Sequence, residues 1–172
     1  NVVAETLNAR AYDVVALVGA AATPMAVLSA LHQKPWRIVH LAAHGVFQFT
    51  PAPGENPVSG LVLDDGVFLT AADAVQMRNV PDLVFINCCH LGQTRGEAPL
   101  FTAFNELAAN LGTEFITMGA RAVVAAGWAV DDAAATTFAR TFYERMLAGS
   151  PFGDAVALAR QRVFEDHGAT NT

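Results

Sequence analysis

Charge is what this sequence has least of. Only 15% of its 172 residues are charged, against about 25% in an ordinary globular chain. The 10 basic residues are scattered among 16 acidic ones, for a net charge of −6. They form no cluster and no basic helix face, so nucleic acid is not expected as a partner. Long apolar runs are missing too. None approaches the ~18 residues of a membrane span, and no membrane partner is expected. The start does not read as a signal peptide. There are two cysteines, and they are adjacent, so they cannot staple distant segments together. Free thiols fit a reducing, cytoplasmic setting. Internal repeats and low-complexity segments are absent.

What is present is apolar surface. Hydrophobic residues make up 53% of the chain, enough for a substantial core in one domain spanning residues 1–172. Low charge and a start at Asn1 rather than Met set the expectation of a piece of a longer polypeptide, lacking its N-terminal part.

The chain is organised around Val84-Phe85-Ile86-Asn87-Cys88-Cys89-His90-Leu91-Gly92. This stretch begins as a buried strand and breaks into thiols, an imidazole and a glycine. A strand ending in this way puts a thiol at the rim of a sheet, where loops build active sites. A second apolar strand, Ile38 to Ala43, ends in His44-Gly45. Two parallel strand ends of this kind point to a Cys-His nucleophile pair.

The other elements follow from local signals. Asp13 to Val18 reads as a buried strand bounded by Gly19. Thr23-Pro24 starts a helix, with Thr23 as N-cap and Met25, Leu28 and Leu31 on one face. Together with the His44 strand this makes a strand–helix–strand unit with a right-handed crossover. Val46 to Ser59, with three prolines and Gly54, reads as a loop beside His44. Gly60 to Leu69 reads as a hairpin about Asp65-Gly66. Thr70 caps a short helix through Met77. Leu100 to Gly119 reads as a helix carrying Phe104, Leu107 and Leu111 on one face, with Gly112 as a place where it could kink. Arg121 to Trp128 is a further apolar strand. A long helix runs from Asp132 to Leu147, with Phe138, Phe142, Tyr143 and Met146 buried. A last one follows Ser150-Pro151, with Ala155, Leu158, Ala159 and Val163 inward. Residues from Gly168 onward should fray. The alternation describes an α/β domain with a mostly parallel sheet, helices on both faces and a small β-hairpin insertion.

Cys89 is the nucleophile candidate, and His44 its base. Backbone N–H groups of Cys89 and Gly45 could hold an oxyanion. Cys88 should point the other way, into packing beneath a helix. His40 shares a strand face with His44 but lies about 13 Å away at ~3.3 Å per residue, too far for one ion. It reads as a core histidine. His90 diverges from Cys89 and is a poor base. His32 and His167 sit at helix ends and need no special role. Adjacent cysteines on a strand suit one tetrahedral ion poorly, so a zinc site of Cys88, Cys89, His90 and His44 is disfavoured, and no metal or organic cofactor is expected. Asp131 and Asp132 follow the third strand end. They could meet a basic substrate side chain, or simply cap the next helix. Trp128 could wall the same pocket.

At these residues the chain resembles a CHAT domain, a branch of the caspase-like cysteine peptidases that includes separase. HLAAHG resembles the family's histidine motif. INCCHLG resembles its cysteine motif, usually closer to Ser-Ala-Cys-x-Thr-Gly. GARAVVAAGWAVDDAAATTFARTFYERMLAG resembles the third hallmark. Cys88 stands where a small Ala is usual, and His90-Leu91 where an acid-Thr pair is usual. The resemblance implies a caspase-like three-layer sandwich, a His44–Cys89 dyad, and an acidic pocket at Asp132, with Asp131 second, for a basic residue before the scissile bond. The expected function is a cysteine endopeptidase acting on a protein or peptide substrate. The alternative is a catalytically silent scaffold or signalling module. Attached N-terminal segments or helical-repeat domains would be its partners within the same polypeptide.

Overall fold

The computed structural model describes residues 1–64, 66–90, 100–126 and 131–168. For Cys89, His90 and residues 100–105 it describes the backbone. The elements are α1 (Val2–Asn8), α2 (Pro24–Gln33), β1 (Ile38–Phe49), β2 (Val58–Asp64), β3 (Val67–Thr70), α3 (Ala71–Val75), β4 (Leu83–His90), α4 (Leu100–Met118), β5 (Ala122–Ala126), α5 (Asp132–Leu147) and α6 (Phe152–His167). The chain divides into two compact units. Leu17–Ala129 holds the sheet, and Asn1–Ala16 joins Val130–Thr172 in the other.

Among the described residues the sheet has five strands, in the order β3-β2-β1-β4-β5. β1, β4 and β5 are parallel, and the β2–β3 hairpin adds antiparallel strands beside β1. Long crossovers join the parallel strands, as parallel pairing demands. This is the expected α/β architecture, a mostly parallel sheet with a hairpin insertion, consistent with a caspase-like sandwich. Asp82 ties the beginnings of the parallel strands together. Its carboxylate accepts from Arg37 Nε at 3.0 Å, and its carbonyl accepts from Arg121 N and Ala122 N.

The core fills one face of the sheet. Strand alternation sends Val39 of β1, Val84, Ile86 and Cys88 of β4, and Leu61 and Leu69 of the hairpin to the same side. They pack there with Leu107, Leu111 and Phe115 of α4. α4 is continuous through Gly112. A Cβ at that position would meet Val123 Cγ1 at an ordinary 3.6 Å, so the packing of helix on strand does not demand the glycine, and the glycine does not break the helix.

Local signals account for the helix starts. The Thr23 hydroxyl accepts from Ala26 N at 3.3 Å. Thr70 and Asp73 form a reciprocal capping box, which satisfies two amides that the first turn leaves open. In the other unit, α6 lays Ala155, Ala159 and Val163 inward along one i, i+4 stripe. Phe142 meets Tyr143 edge-on at 5.2 Å and Phe152 at 5.8 Å. His167 Nε2 and the Thr137 hydroxyl lie 3.0 Å apart, fastening the end of α6 to α5.

Several expectations need correction. Asp13 to Val18 is not a strand, and Val15 and Val18 are exposed. A short β-branched run becomes a strand only where a sheet edge receives it, so the proposed strand–helix–strand unit falls away. Residues 46–49 are not loop. β1 runs on to Phe49 because β2 pairs with it there, Val46 opposite Gly60 and Phe49 opposite Val58. His44 is therefore inside a strand, not at its end. The register shifts between Val46 and Phe49. There Gln48 adopts φ +48° and its N–H donates to Ser59 Oγ at 2.9 Å, a β-bulge of the kind that bends a strand. α3 stops at Val75 rather than Met77. Met25 and Leu158, expected inward, are exposed.

Candidate active site

The site begins with a register. β1 and β4 pair in parallel from Ile38–Leu83 to Gly45–His90, and in this ladder His44 is the partner of Cys89. Adjacent strands lie about 4.8 Å apart, and partners in a parallel ladder share a face of the sheet. The same ladder shows this four residues earlier. His40 is the partner of Phe85, and their rings stack with centroids 4.5 Å apart. Four residues is two full periods of a strand, so positions 44 and 89 stand side by side on the face that carries His40 and Phe85. Between the two pairs lie Ala42 and Asn87, also partners. Ala42 is exposed and Asn87 half-buried. Asn87 was not singled out from the sequence, although stepping back two residues from Cys89 reaches it.

His44 is exposed and Gly45 buried. Gly45 is flanked by His90 on one side and Leu61 on the other. Cys88 faces the core, 1% exposed, as its alternation with position 89 requires. The Cys89 and His90 side chains lie outside the described residues, and so does Trp128. Asp131 is the N-cap of α5. Its Oδ1 accepts from Ala133 N at 2.9 Å and Ala134 N at 3.3 Å. Asp132 is exposed in the first turn of that helix.

His40 behaves as a core histidine. Burial pushes its pKa down to about 4, because desolvation penalises the charged ring. Among the described residues no three His, Cys, Asp or Glu side chains cluster to hold a metal ion. No described helix is long and apolar enough to cross a membrane.

A mixed α/β sheet of this order, with histidine and cysteine motifs on adjacent parallel strands, is consistent with a caspase-like domain related to the cysteine peptidases. The family model described as CHAT domain matches residues 1–171, and the chain belongs to the CHAT family. No curated protein and no solved structure matches it.

Proposed function

We propose that this chain is a cysteine endopeptidase with a His44–Cys89 dyad. The observation that supports it most is the parallel register pairing those two positions, with the exposed imidazole on the face that position 89 shares. Family membership adds the peptidase-related fold.

In this reading His44 takes the thiol proton, and the thiolate of Cys89 attacks the scissile carbonyl. The Cys89 N–H stabilises the oxyanion as the tetrahedral intermediate forms; Gly45 is the weaker donor, because it lies in the sheet between His90 and Leu61. The C–N bond then breaks, and His44 returns its proton to the leaving amine. Water, deprotonated by His44, hydrolyses the thioester and restores the free thiol. Asp132 orients an Arg or Lys side chain before the scissile bond, and Trp128 forms an apolar wall. Asp131 is the weaker candidate because its carboxylate caps α5. The substrate is a protein or peptide in a reducing, cytoplasmic setting.

An acyloxymethyl ketone bearing Arg tests the reading. It should alkylate Cys89 and fail on Cys89→Ala and on His44→Ala. Label that persists in Cys89→Ala removes the dyad. Absence of labelling in wild-type protein would favour a silent scaffold of the same fold.

A further inference from the structure

The two chain neighbours of the proposed dyad meet at one leucine. Gly45 follows His44, Cys88 precedes Cys89, and alternation turns both toward α4. A Cβ on Gly45 would lie 2.7 Å from Leu107 Cδ2 and 3.3 Å from Cys88 Cβ. Leu107 is 1% exposed and belongs with Cys88 to the same core cluster. Gly45 has no positive φ, so backbone conformation does not call for a glycine here. The absent side chain makes room for the leucine from α4.

We infer that Leu107 is a positioning residue for the His44–Cys89 pair; this rests on the peptidase reading. One side chain, wedged beneath Gly45 and beside Cys88, sets the height and spacing of β1 and β4 directly under the two reacting positions. Buried packing of this density does not deform gradually. A gap at Leu107 lets β1 sink toward α4, and an added methyl at Gly45 pushes the strand away. Either change shifts the spacing between His44 and Cys89 without touching a substrate. Shifts of about 1 Å at reacting groups cost on the order of a hundredfold in rate. The glycine beside the histidine is thus kept by the helix beneath it as well as by any carbonyl that approaches its main chain.

The test uses the 172-residue chain and the Arg-bearing acyloxymethyl ketone, measuring kinact and KI separately, with thermal melting to show that each variant folds. Leu107→Ala should lower kinact about tenfold or more while KI stays within about twofold. Leu107→Met, which keeps the volume, should restore kinact. Gly45→Ala should lose kinact in the same way, and Gly45→Ala with Leu107→Ala should recover much of that loss, because the leucine no longer occupies the methyl's place. A folded Leu107→Ala that labels at the wild-type rate overturns the inference, as does a Gly45→Ala loss that the leucine truncation leaves unchanged. If wild-type protein takes no label, the peptidase reading fails by itself. The packing role is then read from hydrogen exchange at the His44 and Gly45 amides. Exchange that is about tenfold faster in Leu107→Ala and normal in Leu107→Met upholds it, and unchanged exchange overturns it.

Discussion

His44 and Cys89 stand opposite each other in a parallel ladder, while Cys88 and Gly45 look through the sheet to α4. Adjacent cysteines therefore occupy positions on opposite faces of the sheet. Cys88 is packed at 1% exposure, and position 89 belongs to the face of the exposed His44.

The two cysteines should separate cleanly under alkylation. Cys88→Ala should keep labelling at Cys89 within about threefold and cost about 1 kcal/mol for the small cavity it leaves. Cys89→Ala should abolish labelling. Peptide mass mapping of the adduct, alongside urea denaturation, checks both.

His40 should make the fold acid-sensitive before most carboxylates titrate. Its folded pKa is depressed to about 4 from 6.5, so between those values the unfolded chain binds the proton and the folded one does not. Stability is present above about pH 6.5 and is lost as pH falls toward 4. The slope from this group is at most about 1.4 kcal/mol per pH unit. His40→Gln should flatten stability between pH 6.5 and 5 in denaturation curves, and an unchanged slope would show that other groups carry it.

Gly60 should be among the least replaceable residues of the hairpin. A Cβ there would lie 2.6 Å from the Leu69 carbonyl oxygen, and that oxygen belongs to a paired backbone that cannot rotate away. Gly60→Ala should cost about 2–3 kcal/mol, seen as a lower denaturation midpoint with unchanged slope.

Asp131 and Asp132 should divide their work. Asp131→Ala removes the cap of α5 and should cost about 1 kcal/mol, with the preference for Arg in the probe retained. Asp132→Ala should leave the melting temperature within about a degree or two and reduce labelling by the Arg probe relative to one bearing norleucine. Equal probe selectivity in wild type and Asp132→Ala would remove that carboxylate from the specificity pocket.

Much of this fold is written locally. Thr23, the Thr70–Asp73 box and Asp131 announce their helices because a cap is settled within four residues. The hairpin is legible because two apolar runs flank Asp65-Gly66, and Gly66 indeed adopts φ +75°. The misread parts depend on distant partners. Gly45 and the prolines after Phe49 suggested an early end to β1, yet β2 holds residues 46–49 in the sheet. Asp13 to Val18 has strand composition, but composition supplies no neighbour. Met25 and Leu158 fit the helical period, but α2 buries none of its residues and Leu158 falls beside the Ala155–Ala159–Val163 stripe of α6. The alternation of Cys88 and Cys89 was readable at once, since period two needs only a strand. The two strand ends point to His44 and Cys89 as a pair, but the register that makes them ladder partners is not readable, because local signals do not fix how two strands distant in sequence align.

The most direct test of the central claim is the pH dependence of Cys89 alkylation by iodoacetamide, compared between wild type and His44→Ala. An imidazole beside the sulfur draws off its proton near neutrality. Wild-type Cys89 should then react readily at pH 6.5, and His44→Ala should be about tenfold slower there while matching wild type at about pH 9. Superimposable profiles would contradict the dyad.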